Sequence, residues 1–268
     1  MRHSAKWLFL ATLTVGFCGC GPAERSTTQE RSAVASTTKQ ATTDETAASE
    51  PHTPNPRPSS SANANTADLS GRITLSGDRP PPRKLSITKD DQVCGAVDTR
   101  VDVEGIDGGV ANVVIEIKGV EGENFQYVDP PAGYVIRQKD CQFTPSLIVV
   151  PNGKDIQVFN DDPVGHNVNT GAWNQMQPPG KQPIVKPVEG QSPIKIVCHI
   201  HSWMEGWIYP VQNPYFAVTD EKGDFNISGV PPGKYRISIW HPSLGRETVR
   251  LTLEAGQAAM LDHAYEAK

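Results

Sequence analysis

From Leu69 onward the apolar residues of this sequence come in short runs, each broken within a few positions by Gly, Pro, Asn or Asp, so no amphipathic helix of ordinary length fits anywhere. Arg72-Ile-Thr-Leu75, Ala111-Asn-Val-Val-Ile-Glu-Ile117, Leu147-Ile-Val-Val150 and Ile156-Gln-Val-Phe159 are typical. Ile194-Lys-Ile-Val197, Tyr235-Arg-Ile-Ser-Ile-Trp240 and Thr248-Val-Arg-Leu-Thr-Leu253 continue the pattern. Several alternate apolar with polar, the two-residue period of a strand with one face inward. The expectation is an all-β chain of antiparallel sandwich architecture. The 23 glycines and 23 prolines supply its turns. No P-loop, Gly-rich dinucleotide turn or Gly-x-Ser-x-Gly elbow is present, so none of those chemistries is expected.

The first quarter of the 268 residues reads differently. Arg2 and Lys6 precede the apolar run Trp7-Leu-Phe-Leu-Ala-Thr-Leu-Thr-Val-Gly-Phe17, which is too short to span a bilayer and has the layout of a secretory signal. It ends in Cys18-Gly19-Cys20, which resembles a bacterial lipoprotein box. That resemblance implies that residues 1–20 are a signal peptide and that Cys20, preceded by small Gly19, carries the lipid. Residues 21–68 are Ser, Thr, Ala, Pro and Asn with almost no large apolar side chain, a composition that cannot offset chain entropy by burial. They read as a disordered tether with an r.m.s. span of roughly 40 Å. The expected location is therefore the periplasm or cell exterior, with the membrane held through the lipid anchor. A net charge of −5 with mixed signs argues against nucleic acid as a partner.

Beyond the signal region three cysteines remain, an odd number for an oxidising compartment. Cys94 and Cys141 sit in plain turn-like contexts and are the natural disulfide pair, which leaves Cys198 as the free thiol. Its surroundings give that thiol a use. In Cys198-His199-Ile-His201-Ser-Trp203-Met204 a thiolate is followed by an imidazole three residues on and a thioether three residues beyond. Upstream, His166 closes the stretch Phe159-Asn-Asp-Asp-Pro-Val-Gly-His166 just after a predicted strand. A soft thiolate, two imidazoles and a weak axial Met form the ligand set of an electron-transfer copper centre.

These residues resemble the cupredoxins. The Cys-x-x-His-x-x-Met spacing is similar to the short ligand loop of amicyanin, and Asn160 to Val168 is similar to the first-histidine region of plastocyanin and amicyanin. The resemblance covers residues 134–211 and implies a Greek-key β-sandwich holding one type 1 copper ion. By it, His166, Cys198, His201 and Met204 are the ligands, and Asn160 is the residue that braces the cysteine loop. His199 follows the cysteine and in extended backbone points the other way. An oxidase would need several His-x-His pairs or a second cysteine where Ser202 stands, so no enzyme is expected. Trp203 and Trp207 are either an apolar rim for a redox partner or buried in the sandwich.

After Val211 the rhythm Thr219-Asp-x-x-Gly223-x-Phe225-x-Ile227, then Pro231-Pro-Gly-x-Tyr235, resembles the carboxypeptidase regulatory-like, transthyretin-like sandwich module. Residues 212–268 are assigned to it, and residues 69–133 read as its opening strands. The copper segment is then either inserted within that module or set beside it. No peptidase residues accompany the resemblance, and His241 and His263 read as structural or surface residues. The expected function is a membrane-tethered blue-copper carrier that serves a redox partner protein. Copper delivery, or a non-redox cell-surface binding sandwich, are the alternatives.

Overall fold

The computed structural model describes residues 64–122 and 125–267. The signal segment, Cys20 and nearly all of the tether lie outside the described residues. Almost every described element is a strand, and the one helix is the single turn Asp91–Cys94. Among the described residues no helix is long and apolar enough to cross a membrane.

Two sandwiches account for the strands. In the first, a five-stranded sheet runs in the order Asn174–Gln177, His166–Asn169, Ile194–Val197, Glu205–Val211, Leu147–Pro151. Facing it is a four-stranded sheet ordered Ile184–Pro187, Asp155–Asn160, Tyr134–Lys139, Gln142–Thr144. Their inner faces share one apolar core containing Ile136, Phe143, Ile148, Val158, Ile196 and Ile208. Strand Tyr134–Lys139 alternates as its sequence predicts, with Tyr134, Ile136 and Gln138 buried and the residues between them less so.

The second sandwich is assembled from both ends of the described chain. Its first sheet centres on Ala67–Ser76, paired antiparallel with Asp224–Val230 on one side and parallel with Ala258–Met260 and His263–Glu266 on the other. Its second sheet runs Phe216–Val218, Val114–Lys118, Gly233–His241, Gly245–Leu253. The first sandwich is thus an insertion between the two halves of the second. The Thr219-to-Gly223 turn shows why the halves close. The Thr219 hydroxyl donates to the Val110 carbonyl at 2.7 Å and accepts the Val113 amide at 2.9 Å. The Asp220 carboxylate caps the amides of Lys222 and Asp224. Gly223, at φ 81°, lies so near Ile73 that a Cβ would fall 2.0 Å from that carbonyl oxygen.

The two sandwiches share a small apolar joint. Every residue of Leu147–Pro151 is buried, because Ile148 and Val150 face one core while Leu147 and Val149 join Val114, Tyr209, Val211 and Trp240 between the sandwiches. This is why that run is continuously apolar rather than alternating. Trp207 packs edge-on against Trp240 at 5.4 Å, in the joint rather than on a rim.

His241 is buried beside this joint, and its Nδ1 accepts the amides of Ser243 and Leu244. Burial, with Arg79 nearby, pushes its pKa down to about 4. A lowered histidine pKa means that the unfolded chain takes up the proton first. Stability should therefore be complete above about pH 6.5 and fall as pH drops from there to about 4, by on the order of 3 kcal/mol. His241→Asn keeps an acceptor near the Nδ1 position and has no such proton to gain. Urea unfolding between pH 4 and 7 should show a shallower pH slope for the variant; parallel slopes would refute this role.

Candidate metal centre

The strand Ile194–Val197 delivers Cys198 into a tight loop. The Cys198 amide donates to the Met204 carbonyl at 3.0 Å and the Met204 amide to the His201 carbonyl at 3.0 Å, so the seven residues fold back on themselves. That turn places Cys198, His201 and Met204 inward, 2 %, 0 % and 1 % exposed. His166, at the start of the neighbouring strand, is also 0 % exposed. His166, Cys198 and His201 each offer an atom within 4.8 Å of the others. His166 Nδ1 and His201 Nδ1 lie 2.9 Å apart, and Cys198 Sγ is 3.8 Å from His201 Nδ1. Met204 lies in the same apolar cluster as Cys198.

The far nitrogens of both rings are committed. His166 Nε2 meets Asp162 Oδ2 at 2.7 Å, and His201 Nε2 meets Asp90 Oδ2 at 2.9 Å. A carboxylate can only accept, so each ring carries a proton on Nε2 and turns Nδ1 toward the other. Two buried bare Nδ1 lone pairs 2.9 Å apart would repel, and a cation held between them resolves the contact. A proton does so when His166 is charged. Burial opposes that charge, but the hydrogen bond to Asp162 and the Cys198 sulfur raise the His166 pKa to about 9. Burial likewise opposes the thiolate, yet His166 and the Asn167 amide bring Cys198 down to about 6. Both shifts favour the thiolate–imidazolium form of the pair. A soft ion with two imidazoles and a thiolate fits the same space, and the donor set suits copper.

The surroundings correct one expectation. The Asn160 side chain donates to the carbonyls of Val164 and Gln177 and accepts the Asp162 amide, so it braces the first-histidine loop and not the cysteine loop. Asn167 does the latter: its Oδ1 accepts the His199 amide at 2.6 Å and its own amide points to Cys198 Sγ at 3.4 Å. One strand register beside the cysteine reaches the loop; the end of Asp155–Asn160, in the other sheet, does not. His199 is exposed, and its Nε2 lies 3.1 Å from the Asn169 amide group. Trp203 is 7 % exposed, with its ring 5.2 Å from that of His201.

Cys94 and Cys141 form a disulfide. Cys141 sits with Asp140 in the two-residue turn between Tyr134–Lys139 and Gln142–Thr144, both at positive φ as such a turn demands. The amides of Asp140 and Cys141 donate to Asp162 at 2.8 and 2.9 Å. Burial works against the Asp162 charge, but His166 and those two amides hold its carboxyl below the usual range. Sequence reasoning missed Asp162, Asp90 and Asn167. The first stands four residues before His166 and the second four before Cys94, spacings that become informative only once the loops and disulfide are in place.

Fold and centre together define an all-β protein in which a sandwich with a buried Cys–His–His–Met cluster is inserted into a second sandwich. Residues 211–266 match the carboxypeptidase regulatory-like domain. Solved structures similar to about a third of the chain include cupredoxins and a copper-containing reductase. Amicyanin from Paracoccus versutus is 15 % identical, covering 36 % of this chain and 96 % of that one, with a TM-score of 0.28. The purple cupredoxin of Nitrosopumilus maritimus is 20 % identical, with 36 % and 96 % covered and a TM-score of 0.23. The copper-containing nitrite reductase of Thermus scotoductus is 15 % identical, with 36 % and 25 % covered and a TM-score of 0.26. No curated protein matches the sequence.

Proposed function

We propose that this protein is an exported single-electron carrier, held at a membrane by lipid on Cys20, with one copper ion bound by His166, Cys198, His201 and Met204. The observation that carries the reading is the pair of buried Nδ1 atoms 2.9 Å apart, beside a thiol already biased toward thiolate. When bound, copper supplies a one-electron couple. The chain's own groups do the rest. Asp162 and Asp90 fix the tautomer and direction of both rings, which outer-shell carboxylates do for histidine ligands generally. The Asn167 amide holds the sulfur, and burial of all four side chains excludes water. Such fixed donors allow little rearrangement between oxidation states.

The test is a copper titration of the full chain followed by potentiometry. Stoichiometric uptake with intense visible absorption and a reversible one-electron couple supports the carrier; ready loss of Cu(I) to a chelator would instead mark a delivery protein. Met204→Leu should keep the colour and raise the potential, because the axial thioether tunes the ion without holding it. His199→Ala should change neither. Equal damage from His199→Ala and His201→Ala would mean that the ligand loop is read in the wrong register.

A further inference from the structure

We propose that Asp90, on a disulfide-fastened segment between strands, is a positioning residue of the centre that binds His201 from behind and favours Cu(II) over Cu(I); this rests on the copper reading above. Asp90 is 111 residues from His201 in sequence, and its carboxylate lies 2.9 Å from Nε2. The segment carrying it is built into the copper sandwich, since Leu85 and Cys94 belong to that core. Asp90 itself has φ 52°, a left-handed conformation that Asp tolerates well, and its carbonyl accepts the amides of Val93 and Cys94. Cys94 is bonded to Cys141, whose amide holds Asp162 behind the other ring. One disulfide therefore joins the supports of both imidazoles. Sulfurs of that bridge offer atoms within 4.8 Å of His201, so the ring is confined on that side as well.

The consequence is electrostatic as well as steric. The His201 ring is wholly buried, while the Asp90 side chain is 33 % exposed. What meets solvent beyond His201 is thus a fixed carboxylate rather than the imidazole edge. A carboxylate accepting the Nε2 proton makes the ring a stronger donor through Nδ1. That gain is larger for the ion of higher charge, so the oxidised state benefits more.

Asp90→Asn tests this directly, because Asn also tolerates left-handed backbone and differs mainly in charge. Cu(II) affinity should fall about 10–100-fold, the range for loss of an outer-shell partner, with the visible band retained. Cu(I) affinity should fall less. Each tenfold difference between the two raises the reduction potential by about 59 mV. Asp90→Gly, which suits the same backbone and removes the carboxylate altogether, should shift the potential in the same direction. Potentials equal to the wild type in both variants would overturn the proposal while leaving the copper reading standing. A wild-type chain that takes up no copper would overturn the reading beneath it.

Discussion

Cys198→Ser is expected to erase the intense visible absorption of the Cu(II)-loaded protein and to lower copper affinity by more than about 100-fold, beyond the usual cost of losing an outer-shell partner. The absorption comes from charge passing from a thiolate to Cu(II), and a serine hydroxyl is neither soft nor ionised at neutral pH. The thiol is also the only one of its kind here, since Cys198 is the free cysteine among the described residues. Replacing Sγ by the smaller Oγ leaves the loop bonds from the Cys198 amide to Met204 and from the Met204 amide to His201 intact. A far-UV circular dichroism spectrum like that of the wild type would show that the fold survives the loss of colour. A variant that kept the band would remove Cys198 from the centre and with it the carrier reading.

Removing the disulfide should have the largest effect on stability. Cys94 and Cys141 are 47 residues apart, and closing a loop of that size stabilises a fold by roughly 3–4 kcal/mol in the chain-entropy model. For a domain of this size that is a fall in Tm of roughly 6–16 °C for the Cys94→Ser, Cys141→Ser double variant. Differential scanning calorimetry of both proteins without metal measures it. A change below about 1 kcal/mol would mean that the packing of Leu85 and its neighbours alone holds the segment in place.

Most of the strand content and the candidate ligands were legible because both are local signals. A run such as Leu147-Ile-Val-Val150 declares itself, and the 198, 201, 204 spacing needs only one loop. The pairing of Cys94 with Cys141 is read from local contexts, which in the structure are the end of a one-turn helix and a hairpin turn. What lay beyond reach were supports supplied from a distance. Asp90 reaches His201 across 111 residues on a segment fastened by the disulfide, so nothing in its own neighbourhood distinguishes it from any other loop aspartate. Resemblance places Asn160 at the cysteine loop, whereas neighbouring strand register gives that place to Asn167. Register between His166–Asn169 and the cysteine strand is a tertiary fact, and no spacing in one segment encodes it. Whether the first sandwich is inserted or adjacent likewise depends on which strands pair with Ala67–Ser76.

The position of that strand sets an order of events during synthesis. Ala67–Ser76 is the first strand of the described chain to be made, yet its antiparallel partner Asp224–Val230 follows about 150 residues later. At 5–20 residues per second, the strand waits roughly 8–30 s before its antiparallel partner exists. The inserted first sandwich, with its core and both cysteines of its bridge complete by Val211, has no such delay. It is therefore the part that folds while the rest is still being threaded out. The long interval falls on an apolar strand with two unsatisfied edges, the kind of surface that pairs with other chains unless it is covered.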